Sequence, residues 1–230
     1  MDERYDLRAM AAYIRGAAEG RLPEDPALRL PLDALTEDDC ARLMAAARAA
    51  DMKLHYFKRQ ELLPRVKKVL GFLRGVGPES LLDVGSGRGV FLLPFLRAFP
   101  GVPVTSLDLL DGRVEMLAAM RRGGLGDITP LKADICSWDA PDGSYDVVTL
   151  LEVLEHIPNV AAAVTNAVRL ARRYVVVTVP SKPDDNPEHI HLLTKPALTG
   201  LFEAAGVGRL RFDGVPGHLF MTADIRGKEA

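Results

Sequence analysis

Apolar and polar positions alternate along this chain with two different periods, and the change falls near residue 75. Over residues 5–20 and 36–50 alanine, leucine and methionine recur at helical spacing, with polar positions between them. Thr36 followed by Glu37, Asp38 and Asp39 reads as a helix cap with acids in the first turn. Pro23, Pro26 and Pro31 separate these two helices, and a third helical run over 54–73 stops at Gly75 and Gly77. From residue 80 onward, short wholly apolar runs alternate with helical stretches. Strands are expected over 81–84, 104–107, 128–132, 145–151 and 174–179, with helices over 90–99, 113–122 and 160–171. Pro94 must fall in the first turn of its helix or bend it. Apolar runs of this kind with helices between them form a parallel sheet covered on both faces.

The alternation breaks at the end of the chain. A helix capped by Thr194 runs through Ala205, and two β-rich runs, 207–212 and 218–225, flank Asp213-Gly214-Val215-Pro216-Gly217. That connection is too short for a crossover helix, so the two strands pair antiparallel. The expected fold is a doubly wound, seven-stranded, mostly parallel α/β sheet with a reversed last strand and an N-terminal helical extension. The expected division is a helical cap at 1–75 and a ligand-binding domain at 76–230.

Composition narrows the picture less than pattern does. The 230 residues hold 29 Lys and Arg against 31 Asp and Glu, a net charge of -2, so no overall basic footprint invites nucleic acid. Cys40 and Cys136 stand in no metal-ligand or redox spacing and read as free thiols of a cytosolic protein. The opening Met-Asp-Glu-Arg is not a secretory signal, and no apolar stretch approaches the length of a membrane span. The expectation is therefore a cytoplasmic protein.

The chemistry gathers at the ends of the strands, where a doubly wound sheet binds its ligands. The first strand ends in Asp83, then glycines at 85, 87 and 89 with Ser86 among them. The dinucleotide fingerprint spaces its glycines as G-x-G-x-x-G, whereas position 90 here is Val, so the spacing does not fit NAD. Asp108 ends the second strand, where an acid accepts from ribose hydroxyls or caps a helix. After the third strand, Asp134 could meet an adenine amine while Ile135 covers the ring. Beyond the fourth strand comes Glu152-Val153-Leu154-Glu155-His156, and the loop 180–194 carries His189 and His191. Glu152 and His156 are four apart with Glu155 between, so a helical turn gathers all three at one edge.

The stretches LLDVGSGRG (81–89), SLDLL (106–110), KADI (132–135), SYDVVTLLEVLEHIPN (144–159) and YVVVTVP (174–180) resemble those of the class I S-adenosylmethionine-dependent methyltransferases. The resemblance covers roughly 50–230. It implies S-adenosylmethionine as cofactor and S-adenosylhomocysteine as product. Asp83 with Gly85, Ser86, Gly87 and Gly89 would hold the methionine portion, and Asp108 with Leu109 the ribose. Asp134 and Ile135 would hold adenine, with Leu151 and Glu152 along the methionine amino group. Among His55, Tyr56, Lys58 and Arg59, before the glycine turn, Arg59 or Lys58 would meet the carboxylate, with Arg59 named as the site residue.

The acceptor implied is a hydroxyl, or an amine, on a small molecule, with His156 or His189 as base and Glu152 and Glu155 positioning. An alternative is similarity to the RNA 3′-terminal 2′-O-methyltransferases, whose E-x-x-E-H pattern matches Glu152, Glu155 and His156, with His189 completing a divalent-metal site. Leu192 and Leu193 depart from that pattern, and outside it no metal is assigned. A third reading is a non-catalytic S-adenosylmethionine-binding sensor or partner subunit. The Ala-rich helices either cap the cleft or mediate a homodimer, and His218 reads as structural.

Overall fold

The computed structural model describes residues 6–18, 20, 22–54, 57 and 62–227. The elements run α1 (Leu7–Ala18), α2 (Glu37–Ala49), α3 (Pro64–Val76), β1 (Leu81–Val84), α4 (Leu92–Ala98), β2 (Val104–Asp108), α5 (Asp111–Arg122) and β3 (Ile128–Lys132). They continue with β4 (Tyr145–Leu151), α6 (Val160–Leu170), β5 (Ala171–Pro180), α7 (Lys195–Ala204), β6 (Leu210–Val215) and β7 (His218–Asp224). All seven strands form one sheet in the order β3-β2-β1-β4-β5-β7-β6. Only β7 runs against its neighbours, pairing antiparallel with both β5 and β6. The chain winds outward from β1 through β2 to β3, then returns to place β4 on the other side of β1, so strand order reverses between β1 and β4.

Successive residues of each central strand serve opposite faces. Leu81, Val147 and Val176 belong to the core beneath α1 to α5, whereas Leu82, Val148, Val175 and Val177 belong to the core beneath α6 and α7. That two-sided burial is why these strands read as unbroken apolar runs. Where a polar residue enters it is paired: Asp146, fully buried on β4, accepts from the Glu79 N–H (2.9 Å) and bonds Arg173 and Arg172.

The N-terminal helices share the first of these cores. Asp6 caps α1 by accepting from Ala9 N–H (3.1 Å) and pairs with Arg97 on α4. The α1 and α5 backbones nearly touch: a Cβ on Gly16 would lie 1.7 Å from the Ala119 carbonyl oxygen, and one on Gly123 would lie 1.8 Å from that of Ala12. Only glycine permits that crossing. Thr36 and Asp39 form a full capping box on α2.

Several element boundaries differ from expectation. The third helix begins at Pro64, not near residue 54; its ring fixes φ and would obstruct a preceding helical turn, so it takes the first helical position. Pro94 falls in the first turn of α4, where a missing N–H is harmless. The final hairpin turns in only two residues, Pro216 and a left-handed Gly217 (φ 81°), so β6 extends through Val215. β5 begins at Ala171, earlier than its hydrophobicity suggests, because Arg172 and Arg173 occupy its first turn of pleat to reach Asp146. No helix among the described residues is long and apolar enough to cross a membrane.

Candidate active site

The reversal of strand order between β1 and β4 opens a cleft at their carboxyl ends, of about 380 Å³. A larger cavity of about 440 Å³ lies between α1, the residues after α2 and the start of α5. The smaller cleft is the candidate site because it holds the glycine turn together with Asp83 and Glu152 from the ends of β1 and β4. Its walls include Asp83, Gly85, Ser86, Gly87, Leu151, Glu152 and His156, as expected from sequence. Gly89, Asp108, Leu109, Asp134, Ile135, Glu155 and His189 stand outside those walls. Arg59, like His55, Tyr56 and Lys58, lies outside the described residues.

Beneath the glycine turn runs a buried chain of hydroxyls. Ser106 Oγ donates to Ser86 Oγ (2.7 Å), Ser86 Oγ to Asp83 Oδ2 (2.7 Å), and Thr149 Oγ1 to Asp83 Oδ1 (2.7 Å). Burial pushes the Asp83 carboxyl up to about 6, although both hydroxyls favour its charged form. Asp83 and Ser86 therefore brace the turn from below. Asp108 braces it from the side, accepting from Gly87 N–H (3.0 Å) with one oxygen and from Leu110 N–H (2.9 Å) with the other.

Gly85 is held at φ 65°, and a Cβ there would lie 2.6 Å from Val153 Cγ2. What its missing side chain makes room for is Val153, not a ligand. At Gly89 the same space is taken by Leu93. Asp134 accepts from Cys136 N–H (2.9 Å) and stays exposed, holding the turn after β3, whereas Ile135 is buried in the core. Leu109 is 61% exposed beside Asp108.

At the end of β4, Glu152 adopts φ 57°, the left-handed region in a residue that carries a Cβ. That conformation costs about 1–2 kcal/mol. It is held by the Glu152 N–H donating to the Thr178 carbonyl (2.8 Å). Glu152 Oε2 lies 2.8 Å from His218 Nδ1, a close contact off the axis of a regular hydrogen bond, while Oε1 is buried without a partner among the described residues. Thr178, on the same cleft wall, likewise has a buried Oγ1 without a partner among the described residues.

Glu155 is fully buried, and neither carboxylate oxygen has a partner among the described residues. Burial first, then the nearby Glu152 and Asp184 charges, raise its carboxyl to about 8. The loop after β5 docks on this turn: Ile190 N–H donates to the Glu155 carbonyl (2.9 Å), and His156 Nδ1 meets the Glu188 carbonyl (2.9 Å). His156 and His189 pack edge to face at 4.7 Å, and His189 Nδ1 lies 2.8 Å from Asp184. Donor atoms of Glu155, His156 and His189 all fall within 4.8 Å of one another. Glu152 is not in this cluster, being turned toward His218.

Among the wall residues that escaped the sequence reading are three arginines. Arg65, second residue of α3, faces the glycine turn, and Arg88 and Arg113 join it in the cleft. The signal for Arg65 was Pro64, which starts the helix and so puts Arg65 in its first turn. Arg88 lay in plain view inside the glycine run.

A family model for a methyltransferase domain matches residues 54–207. The ubiquinone biosynthesis O-methyltransferase of Nitrosomonas europaea is 30% identical over 110 residues, 47% of this chain and 46% of that protein. That of Saccharophagus degradans is 32% identical over 129 residues, 55% of this chain and 53% of its own. The chain thus spans about half the length of the curated relatives it matches. Among solved structures, a SAM-dependent methyltransferase from Aquifex aeolicus superposes with a TM-score of 0.59 at 21% identity, covering 72% of this chain and 92% of that one. The magnesium protoporphyrin IX methyltransferase of Synechocystis PCC 6803, with bound SAH, gives 0.56 at 18% identity over 70% and 81%.

Proposed function

Because this chain belongs to the family defined by that methyltransferase domain, we propose that it transfers a methyl group from S-adenosylmethionine to a hydroxyl oxygen on a small-molecule acceptor. Dependence on S-adenosylmethionine follows from the family. The oxygen and the small acceptor are the finer reading, supported by the names of the partial relatives.

The observation that carries the reading is the division of charge in the cleft. Arg65, Arg88 and Arg113 contribute from α3, the glycine turn and α5, whereas Glu152 and Glu188 contribute from the β4 end and the loop after β5. A cleft lined by both arginines and carboxylates complements the amino-acid end of the cofactor, which carries both charges. Arg65 replaces Arg59 as our candidate for its carboxylate, with Glu152 for its ammonium. Asp108, with lone pairs remaining after its two backbone contacts, takes the ribose hydroxyls. Leu109, exposed beside it, offers an apolar face to the nucleoside.

The sulfonium supplies the electrophile, so this chain's residues orient, exclude water and accept a proton. With the cofactor bound, its sulfonium would supply the methyl group to the acceptor oxygen, whose proton would pass to a base of this chain. His156 is our candidate: its Nδ1 is engaged by the Glu188 carbonyl, leaving Nε2 for exchange. The helices before β1 serve as cover for the cleft, α3 furnishing Arg65, Val66 and Val69 to its wall.

Calorimetry with S-adenosylhomocysteine tests the binding half. Saturation at 100-fold over Kd is expected to stabilise the protein by about 2.7 kcal/mol. Asp108→Ala should abolish most of that gain, and an unmoved parent overturns the reading. Transfer of a labelled methyl group to fractionated metabolites tests turnover and separates an enzyme from a binding subunit.

One observation favours a second reading. The buried, unpartnered Glu155 carboxylate beside two imidazoles is a donor set suited to a divalent cation, which would polarise an acceptor hydroxyl and ease its deprotonation. In that case an RNA 3′-terminal ribose becomes an eligible acceptor alongside small molecules. Mn²⁺ binding lost in both Glu155→Ala and His189→Ala supports it; activity indifferent to chelator removes it.

A further inference from the structure

The reversal of β7 has a chemical result at the cleft. Every other strand of the sheet arrives at the carboxyl edge with its last residue, whereas β7 arrives with its first. Its opening residue is His218, paired in register with Pro180 of β5. Leu151 of β4 stands opposite Thr178 of β5, so Glu152 emerges from β4 at the same edge. The left-handed turn at Glu152 then carries its carboxylate back toward β7, where Oε2 lies 2.8 Å from His218 Nδ1. The other oxygen, Oε1, is buried and has no partner among the described residues, and Glu152 itself is a residue of the cleft wall.

We propose that His218 is a positioning residue that clamps one oxygen of Glu152 so that the other is presented, desolvated, to the ammonium group of the cofactor. The proposal rests on the cofactor reading above and deepens it. A carboxylate oxygen taken out of water without a donor is costly, and a donor arriving with the ligand repays that cost only if the oxygen is already aimed. A side chain that rotated freely would instead turn to solvent. Thr178 Oγ1 supplies a second unfilled position on the same wall, one that hydroxyl rotation adapts to whatever Glu152 holds. An ammonium group fits this setting because two carboxylates, Glu152 and Glu188, share the wall and the guanidinium groups come from other elements. His218 acts only through Glu152, whereas His156 and His189 pack against each other in the neighbouring cluster.

The test compares two ligands by calorimetry: S-adenosylhomocysteine and its analogue with hydrogen in place of the α-amino group. The parent should bind the amino form about ten- to a hundredfold tighter, the weight of one charge-assisted hydrogen bond. Glu152→Gln should lose most of that preference. His218→Leu should lose it too, while His218→Asn, whose amide nitrogen takes the place of Nδ1, should restore most of it. In all three variants affinity for the analogue should stay within about twofold of the parent. A merely structural His218 would lower affinity for both ligands in parallel, and that result overturns the proposal. Full preference retained in His218→Leu also overturns it. Should His218→Leu not fold, His218→Ala, read by the same ratio of affinities, carries the comparison. Absence of binding of either ligand to the parent would remove the cofactor reading itself, and this proposal with it.

Discussion

Substituting alanine for Gly85 introduces a methyl group 2.6 Å from Val153 Cγ2 and 3.3 Å from Cγ1, on a backbone held at φ 65°. Two penalties combine. The left-handed conformation costs a residue with a Cβ about 1–2 kcal/mol. Forcing a methyl group into filled space costs about 1–3 kcal/mol more. Together they amount to about 2–5 kcal/mol, or a fall of roughly 4–20 °C in Tm for a chain of this size. Truncating Val153 to alanine removes the atoms in the way and leaves only the backbone penalty. The double variant Gly85→Ala/Val153→Ala should therefore be more stable than the two single losses imply, by a coupling of about 1–3 kcal/mol. Gly87→Ala is the control: its φ is 53° but the nearest atom is 3.8 Å away, so it should show strain and no coupling to Val153. Urea unfolding of the four corners gives the cycle. Additivity within about 0.5 kcal/mol would refute the claim that Gly85 is glycine because of Val153.

Other consequences are equally direct. Gly16→Ala and Gly71→Ala both fill a helix interior, but the first strikes the Ala119 carbonyl at 1.7 Å and the second meets nothing within 4 Å. Thermal unfolding should show Gly71→Ala more stable by up to about 1 kcal/mol and Gly16→Ala less stable by about 1–3 kcal/mol or more. Glu155 holds its proton to about pH 8 in the fold against 4.5 when free. Between those values the unfolded chain binds fewer protons than the native one, so stability falls as pH rises and the penalty is complete above 8. Glu155→Gln should gain on the parent between pH 5 and pH 9 in chelator; equal pH profiles in urea titrations would contradict this. Asp146→Ala should cost about 3 kcal/mol, the lower end for a broken buried pair, since Arg172 keeps 52% of its side chain in solvent. Equilibrium unfolding reads that loss.

The sheet was legible because its central strands are buried on both faces, so hydrophobicity alone marked β1 and β4 at their observed ends. β5 was harder, since Arg172 and Arg173 interrupt the apolar pattern for the sake of Asp146. The glycine turn was recognisable from spacing, but not the reason for each glycine. Gly85 and Gly89 make room for Val153 and Leu93, which lie 68 and 4 residues away in the chain and reveal themselves only in three dimensions. His218 looked structural because its partner, Glu152, sits on a strand two places across the sheet, brought near by the reversal of β7 and by a positive φ that no local rule foretells. Arg65 was masked by an assumed helix that ran through Pro64.

The central claim is that the β1–β4 cleft holds S-adenosylmethionine for transfer of its methyl group. Calorimetric titration of S-adenosylhomocysteine into the parent and Arg65→Ala, paired with transfer of a labelled methyl group, tests it most directly. Saturable one-to-one binding, weakened about tenfold or more by loss of a charged partner, with label passing to an acceptor, is the result expected. No binding by the parent, or binding that ignores Arg65 with no label transferred, would contradict the account.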